Sequence, residues 1–159
     1  MKAEFINPFI VATTEVLSQE TGRQLKISKG PLAVLESSYT SMDVTVMIGV
    51  TGAILGIVMY GMSERTAKNI VSAMLGQPVP IMDRMVESAI AEMGNVITGI
   101  ASRGLEKAGY PSTLAPPTLI VGRGVMISTI NITRIQIPLQ TEIGDMEISV
   151  ALKEFKSYG

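Results

Sequence analysis

The sequence predicts an α+β domain in which an antiparallel sheet carries helices packed on one face. The first observation is the order of the predicted elements: a helix, strands, two further helices, and strands to the end. The second is a long segment, residues 81–109, whose apolar residues recur with helical spacing. The third is composition, because 47% hydrophobic and 17% charged residues indicate a globular chain. At 159 residues, we predict one domain spanning residues 1–159.

The two shorter helices are predicted from their capping signals. Asn7-Pro8 has the pattern of an N-cap followed by proline in the first turn. The first helix should therefore extend from there to about residue 20, with Gly22 as its C-terminal stop. Ser63 opens the second helix, with Glu64 favourably placed in its first turn, and Gly76 ends it.

The strands are predicted from short apolar or alternating segments bounded by turn residues. They are residues 32–35, 42–50, 53–60, 118–121, 126–139 and 146–152. The second and third should form a buried antiparallel hairpin. We predict connections at residues 23–31, 110–117 and 141–145, and a frayed tail at residues 153–159.

One uncharged segment, from Val44 to Met62, is about as long as a membrane-spanning helix requires. Its many β-branched residues and its glycines favour strands instead, and the Thr51-Gly52 pair is typical of a turn between them. We therefore predict no membrane segment.

The composition excludes several classes of function. The chain has no histidine and no cysteine, which excludes Ser-His-Asp triads, thiolate chemistry and His-ligated zinc. A net charge of −1 without a Lys/Arg run argues against nucleic acid as a partner. The acidic residues are too scattered to predict a metal site. The lack of cysteines and of a secretory signal leads us to expect a cytoplasmic protein.

The long helix has two distinct faces. One is an apolar stripe suited to a core, formed by Met85, Val86, Ala89, Ile90, Met93, Val96, Ile97 and Ile100. The opposite row consists of Ser88, Glu92, Asn95, Gly99, Ser102 and Glu106. Glu92 and Asn95 are three residues apart, so their side chains should project together.

Small residues surround this pair. The flanking positions are Ser88, Ala91, Thr98 and Gly99, none of which is large enough to block a visiting molecule. Gly94 and Gly99 each cost a helix roughly 1 kcal/mol relative to alanine. Their presence suggests that another group approaches the helix backbone closely. We therefore predict a site built on Glu92 and Asn95, although the same pattern is typical of an ordinary solvated helix face.

The segment from Ser88 to Val96 resembles the signature helix of the CheC/CheX/FliY family, which comprises bacterial phosphatases of the chemotaxis response regulator CheY. Ser88, Glu92 and Asn95 match that signature, and Pro116-Pro117 lies where its downstream proline is expected. Further similarity covers nearly the whole chain: residues 5–9, 49–52, 63–76 and 122–123. Only one acid–amide motif is present, which is the CheX pattern, whereas CheC members carry two.

This resemblance implies hydrolysis of the aspartyl phosphate of a CheY-like receiver domain. Asn95 would orient the attacking water, as the glutamine of GTPases does, and Glu92 would engage the receiver's active-site lysine. Ser88, Ala91, Thr98, Gly99 and Ser102 would contact the partner. The protein would need no cofactor of its own, since Mg²⁺ is expected on the receiver.

The resemblance also implies a homodimer joined through sheet edges. The alternative function is a non-catalytic module that binds a receiver or assembles with the flagellar switch. It keeps the same fold and makes the Glu92 row an interface without turnover.

Overall fold

The computed structural model describes residues 1–22, 24–129 and 131–155. Within these residues the chain forms three helices: α1 (Ala3–Thr21), α2 (Glu64–Leu75) and α3 (Arg84–Lys107). The strands are β1 (Ile27–Lys29), β2 (Ala33–Leu35), β3 (Ser38–Thr40), β4 (Val44–Gly52), β5 (Ile54–Met62), β6 (Ser112–Leu114), β7 (Thr118–Val121), β8 (Met126–Ser128), β9 (Arg134–Thr141) and β10 (Gly144–Glu154).

The main sheet is antiparallel, in the order β1-β9-β10-β5-β4-β6, with β2 also paired to β9 and β7 to β4. At its centre, Val58 lies opposite Ile48 on one side and Val150 on the other. These three side chains are fully buried and belong to one core with Ile90 and Ile97 of α3. The helices therefore cover one face of the sheet, which confirms the predicted fold class.

The other face of the sheet carries a small second sheet formed by β3 and β8. Tyr39 of β3 is 2% exposed, and its hydroxyl donates a hydrogen bond of 3.1 Å to Glu147. Glu147 alternates along β10 with the core residues Met146 and Ile148, so it points away from the helices.

Helix α1 begins earlier than predicted. It starts at Ala3, and Pro8 lies inside it rather than in its first turn. The N-cap prediction was wrong because Phe5 and Phe9 are buried, so tertiary packing favours extending the helix toward the N-terminus. The predicted end was right, since Gly22 follows the helix in the left-handed conformation at φ 67°.

Helices α2 and α3 begin at side-chain caps. The Ser63 hydroxyl accepts a hydrogen bond of 3.1 Å from the Thr66 amide, and Gly76 ends α2 at φ 69°, as predicted. In α3 the Asp83 carboxylate accepts a hydrogen bond of 3.0 Å from the Val86 amide. The long helix therefore begins at Arg84, three residues later than predicted, and ends at Lys107.

The predicted β4–β5 hairpin is confirmed, and so is the short strand at β2. No helix in the described ranges is long and apolar enough to cross a membrane. Three strands were missed: β1, β3 and β6. They are three residues long and pair through their backbones without a recognisable side-chain pattern.

The predicted strand at residues 126–139 is divided into β8 and β9, which belong to different sheets. Residue 130 of that predicted strand lies outside the described residues. At the C-terminus, β10 continues to Glu154, so the predicted tail is wrong at its start. The rest of that tail, residues 156–159, also lies outside the described residues.

Candidate active site on helix α3

Helix α3 presents its predicted polar row to the outside. Ile90, Ile97 and Ala101 are at most 1% exposed and face the core. On the opposite side Ser88 and Glu92 are exposed, while Asn95 is half-buried. The amphipathic pattern therefore sets the helix so that the acid and the amide both lie on its outer face.

The polar groups of Glu92 and Asn95 are unpaired within the described part of the chain. Neither side chain has a hydrogen-bond or ion-pair partner among the residues that the structure describes. An ionised carboxylate only accepts hydrogen bonds, whereas a carboxamide both accepts and donates them. The pair is therefore available to bind a cation and to orient a water molecule supplied with a partner.

The residues around Glu92 and Asn95 have small side chains. Ala91, Gly99 and Ser102 are half-buried, and the Ser102 hydroxyl donates a hydrogen bond of 2.8 Å to the Gly99 carbonyl. A methyl group added at Gly99 would meet no heavy atom of its surroundings within 4 Å. The surface beside Asn95 is open, and no contact with the described residues requires glycine at position 99.

Thr98 does not belong to this surface, and its predicted contact with a partner is wrong. It is 0% exposed, and its hydroxyl lies 2.7 Å from the buried Tyr60 hydroxyl while donating to the Gly94 carbonyl at 2.7 Å. A three-residue step from Asn95 rotates the side chain by about 60° around the helix. That rotation turns Thr98 toward the sheet.

Gly94 also has an internal explanation. A methyl group there would lie 2.8 Å from Cγ1 of Val46, a fully buried residue of β4. The close approach predicted at this glycine is therefore made by the sheet.

Met85, predicted in the core, is 49% exposed because it lies on the same side of the helix as Ser88 and Glu92.

A groove between α1 and α3 borders the polar row. Its volume is about 450 Å³, and its lining includes Val11, Ile100, Arg103 and Lys107. Arg103 was not among the site residues predicted from the sequence. Its position eleven residues after Glu92, three full helical turns, could have placed it on the same face.

Elsewhere the structure offers less chemistry. A more apolar cavity of about 490 Å³ lies on the opposite face of the sheet, where Lys153 is the one charged lining residue in the part of the chain described. Within the described ranges, no three acidic residues lie close enough together to hold a metal ion. The α3 face is therefore the better candidate for catalysis.

Comparison with known proteins shows similarity over most of the chain. The family model of the chemotaxis phosphatase CheX matches residues 44–140. The CheY-P phosphatase CheX of Thermotoga maritima is 32% identical over 154 residues, which are 94% of this chain and 97% of that protein.

Solved structures show the same architecture. The crystal structure of CheX from Desulfovibrio desulfuricans is 28% identical, with a TM-score of 0.82 and coverage of 96% of this chain and 99% of that one. A CheX–CheY–BeF₃–Mg²⁺ complex from Borrelia burgdorferi is 23% identical, with a TM-score of 0.80 and coverage of 96% and 100%. The latter shows a shared fold. On the family match and the Thermotoga relative, this chain belongs to the chemotaxis phosphatase CheX family.

Proposed function

We propose that this protein hydrolyses the aspartyl phosphate of a CheY-like response regulator. In this proposal Asn95 orients the attacking water and Glu92 binds the receiver's active-site lysine. The family and the name of the Thermotoga relative, a CheY-P phosphatase, support this substrate. The observation that carries the proposal is the pair itself: an acid and an amide on an open helix face, both without a polar partner among the residues described.

Asn95 orients the attacking water in this proposal. Phosphoryl transfer passes through a loose transition state and depends mainly on positioning and charge stabilisation. The amide oxygen accepts a hydrogen bond from the water and aims its oxygen at phosphorus. As the bond between the water oxygen and phosphorus forms, the bond between phosphorus and the aspartyl oxygen breaks and frees the carboxylate. The water's proton passes to the released phosphate or to solvent.

Glu92 has a different role. It is exposed, and no cation in the described ranges pairs with it, so its carboxylate is available for the receiver's active-site lysine. This ion pair would hold the receiver in the orientation that places the phosphoryl group before Asn95. Ser88, Ala91, Gly99 and Ser102 then form the partner-contacting floor, from which buried Thr98 is excluded.

No cofactor of the protein's own is needed in this mechanism, and Mg²⁺ is supplied by the receiver. The Borrelia CheX forms its complex with CheY, BeF₃ and Mg²⁺, which supports a receiver-bound ion as the source of charge neutralisation.

We also propose a homodimer joined through sheet edges, acting in the cytoplasm. Sedimentation velocity tests the dimer, since a monomeric mass at micromolar concentration contradicts it.

A catalytic titration tests the activity. Phosphate release from a phosphorylated CheY receiver is measured with the protein at one-hundredth to one-tenth of the receiver concentration. A phosphatase turns over many receivers, so at every ratio complete release is expected at a rate above the receiver's own spontaneous hydrolysis. Release that stops in proportion to the protein added, or a longer phosphoreceiver lifetime, supports the non-catalytic binding module instead.

A further inference from the structure

We propose that the groove between α1 and α3 is a second docking site for the receiver, in which Arg103 binds an acidic side chain and Val11 an apolar one. This inference rests on the proposed function and adds a surface outside the Glu92–Asn95 pair. It assigns substrate recognition, rather than chemistry, to the C-terminal half of α3.

The floor of the groove is formed where the two helices approach each other. Pro8 of α1 lies against Gly104 of α3, where an added methyl group would be 3.2 Å from the Pro8 Cβ. Ala12 and Ile100 extend this apolar floor. Val11 also lines the groove, and it is 56% exposed although it is a large apolar residue. Covering these groups removes apolar surface from water, which favours binding.

The charges of the groove determine what kind of surface it fits. Arg103 and Lys107 stand on the α3 side, and neither has an ion-pair or hydrogen-bond partner in the described part of the chain. On the α1 side, Glu4 accepts a hydrogen bond of 3.0 Å from Tyr110 and lies 3.9 Å from Lys2, while Glu15 has no partner there. The uncompensated charge is therefore mainly positive and lies on α3, where it favours a carboxylate from the partner.

The groove lies on the same helix as the candidate active site, toward its C-terminal end. Arg103 lies on the same face of α3 as Glu92 and Gly99, about 16 Å from Glu92 along the helix axis. A compact domain of about 100 residues has a radius of gyration of about 13 Å. A receiver seated over Asn95 is therefore large enough to reach the groove as well, which makes the receiver the occupant that this geometry favours.

The test compares charge and apolar variants with matched controls. Arg103→Glu is paired with Arg65→Glu, which makes the same change in net charge at an exposed position on α2. Val11→Ser is paired with Val34→Ser, which removes a 73% exposed apolar side chain from β2. All four positions are exposed, so folding should be preserved, and circular dichroism verifies it.

Three quantities are measured: the Kd for a beryllofluoride-activated CheY receiver, and the KM and kcat for its phosphorylated form. We expect Arg103→Glu to raise Kd and KM about 10-fold and Val11→Ser about 3-fold, with kcat unchanged, while the controls stay within about 2-fold of the wild type. The Kd of the wild type should also rise with salt concentration more steeply than that of Arg103→Glu.

Each other outcome has a definite meaning. Unchanged Kd and KM in both groove variants overturn the second docking site while leaving the phosphatase proposal intact. A wild-type protein that releases no phosphate refutes the phosphatase proposal, yet the Kd values still decide the role of the groove. If Arg103→Glu changes the oligomeric mass instead of the Kd, the groove is an interface between copies of this chain and the inference is wrong.

Discussion

At the scale of single residues, helical periodicity was enough to find the outward row of α3 but not its edges. Glu92 and Asn95 lie where the 3.6-residue repeat predicts. Thr98 does not serve as a flank, because a residue at the margin of a helix face is turned inward or outward by the element packed beneath it. Here that element is β5, whose Tyr60 hydroxyl lies 2.7 Å from Thr98. The sequence alone does not identify this neighbour.

The two glycines of α3 should respond in opposite ways to substitution by alanine. Gly94→Ala places a methyl group against Val46, whose β-branched side chain in a packed strand has little freedom to move. We expect a loss of about 1–3 kcal/mol in the free energy of unfolding. Gly99→Ala meets open space and should gain roughly 0.5–1 kcal/mol through helix propensity.

Urea denaturation measures both changes in the free energy of unfolding. The same Gly99→Ala protein should show a raised KM for a phosphorylated receiver, since the added methyl group stands on the floor that the partner approaches. Equal stabilities of the two variants would contradict the assignment of Gly94 to internal packing.

At the scale of elements, local signals were reliable where they acted alone. Helix α2 is bounded as predicted because Ser63 and Gly76 cap it through contacts within the helix ends. Helix α1 begins earlier than its Asn-Pro signal indicates, because burial of Phe5 and packing of Pro8 on Gly104 are long-range effects. The short strand β6 has the same explanation, since β4 supplies its hydrogen bonds.

The hydrogen bond between Tyr60 and Thr98 joins the sheet to the site helix, and its two partners are not equivalent. Thr98→Ala leaves the Tyr60 hydroxyl buried without its partner, which should cost about 1–3 kcal/mol. Tyr60→Phe should cost less, because Thr98 still donates to the Gly94 carbonyl. Chemical denaturation gives both free energies. The kcat of Thr98→Ala should match the wild type, and a selective loss of receiver binding would mean that Thr98 contacts the partner after all.

At the scale of the whole molecule, the sheet carries a different layer of structure on each of its two faces. On one face the other two helices hold α3 in place, while β3 and β8 cover part of the other face and bury Tyr39. The architecture was predictable because the order of helices and strands constrains how the layers pack. The β3–β8 pair was not predictable, since it joins segments distant in sequence through backbone contacts. That residues 1–159 form a single domain stays a prediction.

The buried tyrosines make stability dependent on alkaline pH. Burial, followed by the nearby Glu147 carboxylate, raises the pKa of Tyr39 to about 12, and burial also raises the pKa of Tyr60. The unfolded chain therefore loses these protons near pH 10, while the folded protein keeps them. Stability is complete below pH 10 and declines as the pH rises toward 12, by about 1.4 kcal/mol per pH unit for each tyrosine.

Tyr39→Phe isolates one of these contributions. Its free energy of unfolding should be lower than that of the wild type at pH 8, because the hydrogen bond to Glu147 is lost, but it should fall less steeply between pH 10 and 12. Urea denaturation at several pH values measures the slopes. Identical slopes would show that Tyr39 ionises alike in the folded and unfolded states.

The most direct measurement is the turnover of Asn95→Ala on a phosphorylated CheY receiver, with Glu87→Gln, which lies outside the polar row, as the control on the same helix. We predict a kcat about 10²-fold below the wild type, the ordinary cost of removing one positioned group from a catalytic site. The Kd for the beryllofluoride-activated receiver should stay near the wild-type value, and Glu87→Gln should retain full activity. An Asn95→Ala protein that releases phosphate at the wild-type rate would contradict the proposed role of the amide.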